Sequence, residues 1–234
     1  MVKLKVFVTG DTHGGLDDKK LLPASFPEGE SLTKEDFVIV LGDFGYIFYR
    51  NPDANKEIYA LEKIEKFPWT TLFVDGNHEN HERLNKYPVE FWNGGKIHKI
   101  RSSIFHLMRG EIFDLGGKSF FCMGGAGSID KASRIEGISW WKEEVPSYQE
   151  MDYALGNLEK RNNEVDFILT HTCPRCKILE MENFIFEDSS IKFFDEIYQN
   201  VEFSAWYFGH FHQDMKIPSD ERLSCLYQSV VRIL

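Results

Sequence analysis

The chain has 234 residues, of which 42% are hydrophobic and 15% aromatic, so it is long enough for one folded domain or at most two. Its formal net charge of −10 provides no global attraction for long polyanions. A long nucleic acid is therefore not the expected partner, unless a local cationic site overrides that charge. No stretch approaches the ~20 apolar residues of a membrane helix, and the first residues are not a secretory signal. The sequence thus predicts a cytoplasmic protein that does not associate with membranes.

Six short runs rich in Val, Ile or Phe predict β-strands, because polar or glycine residues bound each of them. In chain order they are Leu4–Thr9, Phe37–Leu41, Thr71–Asp75, Ser119–Met123, Val165–Thr170 and Phe203–Phe208. Three segments between them predict helices, namely Asn55–Lys66, Ser147–Arg161 and Ser189–Gln199. Two further regions predict short or antiparallel strands, namely Ile97–Met123, with a tight turn at Gly116–Gly117, and Met215–Leu234. The pattern predicts one α/β domain over residues 1–234, with sheets packed in layers between helices.

Asp, Asn or His side chains closely follow five of these predicted strands. They are Asp11 and His13, Asp43, Asn77 and His78, His171, and His210 and His212. Because ligand sites of open α/β sheets lie beyond the carboxyl ends of the strands, we expect these side chains to converge. Carboxylates and imidazoles bind divalent metals such as Mn, Fe, Zn and Co, and the set is large enough for two ions that share Asp43. Glycines next to Asp43, Asn77 and His210 would let the backbone turn sharply and bring the ligands close.

The order of these motifs resembles the calcineurin-like metallophosphoesterase superfamily. The motifs read "DTH" at 11–13, "GD" at 42–43, "GNHE" at 76–79, "H" at 171 and "GHFH" at 209–212. The resemblance is to the small bacterial or phage-type phosphoesterases. It implies a four-layer α/β/β/α sandwich of two mixed β-sheets flanked by helices. It also implies a metal-dependent hydrolase that acts on ester bonds.

The resemblance also implies a role for each residue of the motifs. One metal ion would be held by Asp11, His13 and His212, and the other by Asn77, His171 and His210. Asp43 would bridge the two ions, of which manganese is the first expectation and Fe, Zn or Co the others. A hydroxide between the ions would attack phosphorus in line with the leaving oxygen. His78 would not bind metal but would contact the phosphate and assist the leaving group.

Candidate substrate contacts are Asn77, His78, Arg134 and Arg175. Arg134 belongs to the glycine-rich segment "GGAGSIDKASR" at 124–134, which follows a predicted strand but lacks the ending of a Walker loop. Arg175 lies between Cys173 and Cys176, close to His171. Three further histidines have no support from the motifs. We expect His81 to line the pocket because it is close to His78, and His98 and His106 to be ordinary strand residues.

The leading interpretation is a phosphodiesterase or phosphatase that acts on small phosphoesters or nucleotides. Phe44–Gly45–Tyr46–Ile47–Phe48 stands where Ser/Thr protein phosphatases of the superfamily carry an acidic residue and an arginine, which argues against a protein phosphatase. The alternatives are a nuclease acting on single-stranded or short nucleic acid, and a non-catalytic metal-dependent binding scaffold. A redox pair formed by Cys173 and Cys176 is a further alternative. The sequence leaves the oligomeric state open.

Overall fold

Thirteen β-strands form the centre of the protein in a computed structural model that describes residues 3–50 and 54–234. The strands are β1 Val6–Thr9, β2 Phe37–Leu41, β3 Thr70–Val74, β4 Val89–Trp92, β5 Gly95–Arg101, β6 Ile104–Leu107, β7 Glu111–Leu115, β8 Lys118–Met123, β9 Glu164–Thr170, β10 Glu202–Phe208, β11 Met215–Ile217, β12 Asp220–Cys225 and β13 Val231–Arg232. All six strands predicted from apolar runs are present, with ends that differ by at most two residues. Short apolar runs suit strands that are covered on both faces.

The strands form two mixed sheets. The first has seven strands in the order β13-β1-β2-β3-β6-β5-β4, and the second has six in the order β11-β12-β10-β9-β8-β7. In the first sheet β1, β2, β3 and β6 are parallel, whereas β13, β5 and β4 pair antiparallel. In the second sheet β12, β10, β9 and β8 are parallel, and β11 and β7 are antiparallel edges.

Helices cover the outer face of each sheet. They are α1 Ala54–Glu65, α2 His81–Leu84, α3 Tyr148–Glu159, α4 Arg175–Ile178 and α5 Ser189–Asn200. Short 3-10 helices lie at His13–Gly15, Asp18–Leu21, Pro27–Ser31, Lys131–Ser133 and Lys142–Glu144. None of the helices within residues 3–50 and 54–234 is long and apolar enough to span a bilayer.

Apolar clusters lie between the layers, and three of the four among the described residues show the arrangement. Ile39 of the first sheet and Leu169 of the second share the core between the two sheets. Leu61 of α1 belongs to a cluster on the outer face of the first sheet. Phe194 of α5 packs with Trp206 of β10 on the outer face of the second sheet. This arrangement confirms the expected four-layer α/β/β/α sandwich.

Two local predictions are also confirmed. Gly116 and Gly117 form the turn between β7 and β8, with φ of 59° and 78°. Both residues adopt the left-handed conformation that a type I′ hairpin turn requires. Ser147 caps α3, and its side chain and that of Glu150 form a capping box. Each feature follows from local chemistry that the sequence displays directly.

Candidate metal centre

The five ligand-bearing loops lie at one end of the sandwich. β1, β2 and β3 are parallel neighbours in the first sheet, and β9 and β10 are parallel neighbours in the second. The loops after them carry Asp11, Asp43, Asn77, His171 and His210. Because parallel strands end at the same edge of a sheet, the loops of each sheet start side by side.

Asp11, His13 and His212 form one half of the centre. Each offers one ligand atom, and these atoms lie within 4.8 Å of one another. His212 Nε2 is 3.1 Å from Asp11 Oδ2. The oxygen is buried and has no well-oriented hydrogen bond among the described residues, which suits two ligands that face one cation. This is the set that the family resemblance assigns to one ion.

Asn77, His171 and His210 form the other half. His171 Nε2 lies 3.1 Å from Asn77 Oδ1 and 3.2 Å from His210 Nδ1. His171 is completely buried, and Asn77 is nearly so. The structure therefore brings together the three side chains that the family resemblance assigns to the second ion.

Asp43 lies between the two halves. Its Oδ1 is 3.3 Å from His171 Nε2, and its Oδ2 is 3.3 Å from His13 Nε2. One carboxylate oxygen thus faces each half, as a bridging ligand requires. His13, Asp43 and His78 also form a compact group of potential ligand atoms, so His78 lies at the edge of the same centre.

The second nitrogens of two ligand histidines are held by partners within the chain. His13 Nδ1 is 2.7 Å from Asp17 Oδ2, and His171 Nδ1 donates to the carbonyl oxygen of Leu41 at 2.8 Å. Such partners fix the ring orientation and leave Nε2 directed at the metal site. Neither partner was predicted from the sequence. The four-residue spacing of His13 and Asp17 is a signal that could have been used, whereas no local signal indicates a backbone carbonyl 130 residues away.

Four of the predicted ligands have left-handed backbone conformations. The φ angles are 44° at His13, 47° at Asp43, 70° at His210 and 51° at His212. The other non-glycine residues with positive φ in the described part of the chain are asparagines, which tolerate this region well. A strained backbone at these residues costs on the order of 1–3 kcal/mol each and is typical of functional sites.

Glycines next to the ligands allow the close approach that the sequence predicts. A Cβ atom on Gly42 would lie closer than 3.0 Å to His171, and one on Gly209 would lie closer than 3.0 Å to Asp11 Oδ1. A Cβ atom on Gly76 would overlap both Asp43 and His171. These positions lack space for any side chain.

The buried carboxylates make the centre attractive to positive charge. Burial alone would lower the pKa of His171, but Asp43 and Asp11 outweigh it and raise that pKa to about 10. Burial would also lower the pKa of His13, but Asp43 outweighs this effect and raises that pKa to about 9. Two carboxylates, one amide and four imidazoles are the donor set of a borderline divalent metal. The residues present therefore fit two such ions.

His78 and Arg134 lie beside the centre. Arg134 Nη2 is 3.2 Å from His78 Nε2, and the backbone N–H of His78 donates to Asp43 Oδ1 at 2.8 Å. Because a guanidinium is only a donor, His78 Nε2 accepts, and the neutral ring carries its proton on Nδ1. Burial lowers the pKa of His78, and the positive charge of Arg134 adds to this effect. Both side chains line a cavity of about 410 Å³ together with Asp43, Asn77, His210 and His212.

Arg175 and His81 lie elsewhere. Arg175 forms an exposed ion pair with Glu187 at 2.6 Å and is not among the described residues that line the cavity. His81 does not line it either, contrary to expectation. Instead it lines a second cavity of about 430 Å³ with His98 and His106. The helix α2 starts at His81 and directs this side chain away from His78.

The two cysteines near His171 are free thiols. Cys173 is buried and Cys176 is exposed. Burial raises the pKa of Cys173 well above its usual value, and burial together with Asp195 raises that of Cys176 to about 11. Reactive thiols require a lowered pKa, so neither environment supports a redox pair.

A sandwich of two sheets with this donor set at its strand ends is that of a metal-dependent phosphoesterase. The family model described as calcineurin-like phosphoesterase matches residues 4–214, and the chain belongs to this family. This membership is consistent with the expected class of enzyme, a metal-dependent phosphoesterase.

Curated relatives are lariat debranching enzymes. The Schizosaccharomyces pombe protein is 26% identical over 188 residues, which is 74% of this chain and 37% of the relative. Lariat debranching enzyme A of Xenopus laevis is 24% identical over 241 residues, which is 89% of this chain and 43% of the relative. The chain thus spans less than half the length of these relatives. Among solved structures, Thermus thermophilus sulfate thiohydrolase SoxB in complex with glycerol has a TM-score of 0.46 and 12% identity, covering 98% of this chain and 53% of that one.

Proposed function

We propose that the protein hydrolyses phosphoesters with two divalent ions, as a phosphodiesterase or phosphatase of small phosphoesters or nucleotides. The position of Asp43 carries this proposal. Its two carboxylate oxygens face two separate groups of ligands, each at 3.3 Å from a histidine nitrogen. A single ion would need only one of these groups.

The first ion would be held by Asp11, His13 and His212, and the second by Asn77, His171 and His210, with Asp43 shared. When bound, two such ions lower the pKa of a water molecule and neutralise charge on the phosphoryl oxygens. Manganese is our first choice, although nitrogen and oxygen donors suit Fe, Zn and Co as well.

Arg134 and His78 would bind the phosphoryl group. A phosphoryl oxygen bound beside both side chains would accept the hydrogen bond that Arg134 Nη2 now donates to His78 Nε2. The anionic phosphate would raise the pKa of His78 and favour a proton on Nε2. From there His78 can donate to the leaving oxygen as a general acid, which typically contributes ~10²–10⁴-fold.

We also propose that residues 1–234 act as one metallophosphoesterase domain. β1 near the start of the chain pairs with β13 near its end, in the register Phe7 opposite Arg232. Each group of ligands combines side chains that follow strands of both sheets. Both sheets are therefore needed for one centre.

The relatives favour a second candidate function. Their name, lariat debranching enzyme, supports a nuclease acting on single-stranded or short nucleic acid. The net charge of −10 argues against a long strand but not against a short one.

The test is hydrolysis by protein that has been stripped of metal and reloaded with Mn²⁺. A bis-aryl phosphodiester and an aryl phosphomonoester are compared, with Asp43→Asn as the inactive variant. Asp114→Asn is a matched control, because Asp114 is an exposed aspartate that pairs with Arg161. Turnover of either ester that is lost in Asp43→Asn and kept in Asp114→Asn supports the proposal. Two bound ions without turnover of either ester would contradict it and favour a binding scaffold.

A further inference from the structure

Apolar side chains make up much of the remaining wall of the cavity that holds the metal centre. They are Ile129, Ile178, Phe184, Phe186, Ile191 and Phe211. Ile129 is 60% exposed and Phe184 is 55% exposed. Large apolar groups beside a charged centre are typical of a ligand site, in which few polar groups orient a mostly apolar ligand. Phe184 and Phe186, in the loop between α4 and α5, are called the aromatic wall below.

The aromatic wall is held in place by the segment that also carries Arg134. The backbone N–H of Gly127 donates to Asp188 Oδ2 at 2.9 Å. Asp188 also caps α5, since its Oδ1 accepts from the backbone N–H of Ser190. A Cβ atom on Gly127 would lie 3.0 Å from Cε1 of Phe186, so the ring packs directly against this glycine. The wall is therefore part of an ordered structure next to the phosphate-binding residues.

The charges near the wall favour an uncharged substituent. Asp130 and Glu182 line the same cavity, and Arg134 is the only cation among its described lining residues. The ammonium of Lys131 lies just outside this lining, 5.7 Å from the centre of the Phe186 ring. Arg134 also forms an ion pair with Asp130 at 2.8 Å. A second phosphate next to the first would thus meet carboxylates, and a polyanion would find no track of cations. A planar neutral ring would instead stack on the wall.

We propose that the cavity binds a nucleoside phosphate, with the phosphate at the metal centre and the base on the aromatic wall. In a nucleoside phosphate, the base is a flat neutral ring, and the ribose is a short polar linker between the base and the phosphate. This inference rests on the proposed function because it places the phosphate at the same metal centre. It names a single nucleotide unit as the substrate class.

Binding measurements on Mn²⁺-loaded protein test the inference without relying on turnover. Calorimetry gives the Kd of adenosine 5′-monophosphate and of ribose 5-phosphate, which differ only in the base. We expect the nucleotide to bind about 10-fold more tightly or better, since stacking of one base on aromatic side chains typically has an effect of this size. Phe186→Leu and Phe184→Leu keep an apolar side chain but remove the ring. Each is expected to bring the ratio of the two Kd values closer to one.

Phe91→Leu is the matched control, because Phe91 is a 76% exposed phenylalanine of β4 that does not line the cavity. Its ratio should equal that of the unchanged protein. Equal Kd values for the two ligands would overturn the inference, as would a ratio that neither wall variant changes. Tighter binding of a short oligoadenylate with the same 5′-phosphate would overturn the single nucleotide and favour a strand. If the unchanged protein does not hydrolyse aryl esters, the proposed function fails. If the ratio of the two Kd values is one, the inference about the nucleotide fails, so the two failures are distinguishable.

Discussion

Substitution of Gly76 by alanine should disrupt the metal centre although it replaces none of the proposed ligands. The added Cβ atom would lie 2.7 Å from His171 Nε2 and closer still to Asp43 Oδ1. Ordinary contacts of this kind begin near 3.4 Å, so His171 or the Gly76 backbone must move by about 0.7 Å, and Asp43 by more. Metal sites tolerate errors of only about 0.2 Å in ligand distance. We therefore expect a clear loss of metal affinity at both halves, which share Asp43.

The effect on turnover should be large as well. A displacement of about 1 Å near the reacting atoms can reduce a rate ~10²-fold. The assay is calorimetric titration with Mn²⁺, followed by hydrolysis of an aryl phosphodiester at saturating metal. Gly76→Ala should show weaker binding and turnover reduced by roughly 100-fold.

Gly156→Ala is the matched control for this substitution. Gly156 lies within α3, has negative φ and has no atom within 4 Å of the position of an added Cβ. It should leave metal binding unchanged and stabilise the helix by ~0.5–1 kcal/mol. If Gly76→Ala binds two ions with the affinity of the unchanged protein, the steric reasoning for this loop is refuted.

Three further predictions concern residues around the centre. Arg134→Gln should lower kcat/KM for an aryl phosphodiester about 10-fold or more, mainly through KM, as steady-state kinetics would show; an unchanged KM would argue against a phosphate contact. Cys173→Ser should retain hydrolysis that Asp43→Asn abolishes, and the reverse pattern would support a redox thiol. Burial and the neighbouring His106 lower the pKa of His98 to about 4. Because this is below its unfolded value of ~6.5, the protein should lose up to about 3 kcal/mol of stability as pH falls from 6.5 towards 4. Urea unfolding should show a smaller loss in His98→Gln, and an equal loss would refute this assignment.

The strands and the convergence of the proposed ligand side chains were predictable for one physical reason. A strand that is buried on both faces needs a continuous apolar run, so an acid or imidazole directly after such a run is conspicuous. Phe37–Leu41 followed by Asp43 shows this clearly, and the structure ends β2 at Leu41 as predicted. The convergence then follows from the parallel arrangement of neighbouring strands.

The remaining parts of the site depend on contacts that the sequence does not display. His81 was expected in the pocket because it is three residues from His78. In the structure, Asn80 caps α2 by accepting from the backbone N–H of Arg83, and its own N–H donates to the carbonyl of Ile47. These bonds direct the chain away from the metal centre at this point. Phe184 was equally unpredictable, since it lies in the loop between α4 and α5 and belongs to no predicted helix or strand.

Two strands of the first sheet are followed by a buried carboxylate, Asp75 after β3 and Asp11 after β1, and the surroundings of the two carboxylates differ. Asp75 is buried, but Arg109 Nε at 2.9 Å and His106 Nε2 at 3.0 Å satisfy its carboxylate within the chain. Asp11 is equally buried, yet its Oδ2 has no well-oriented hydrogen bond among the described residues. A buried carboxylate without such a partner is strongly destabilising unless a cation compensates it. The chain satisfies the carboxylate of Asp75 itself, whereas that of Asp11 fits the proposed metal ions, and this difference favours Asp11 over Asp75 as a metal ligand.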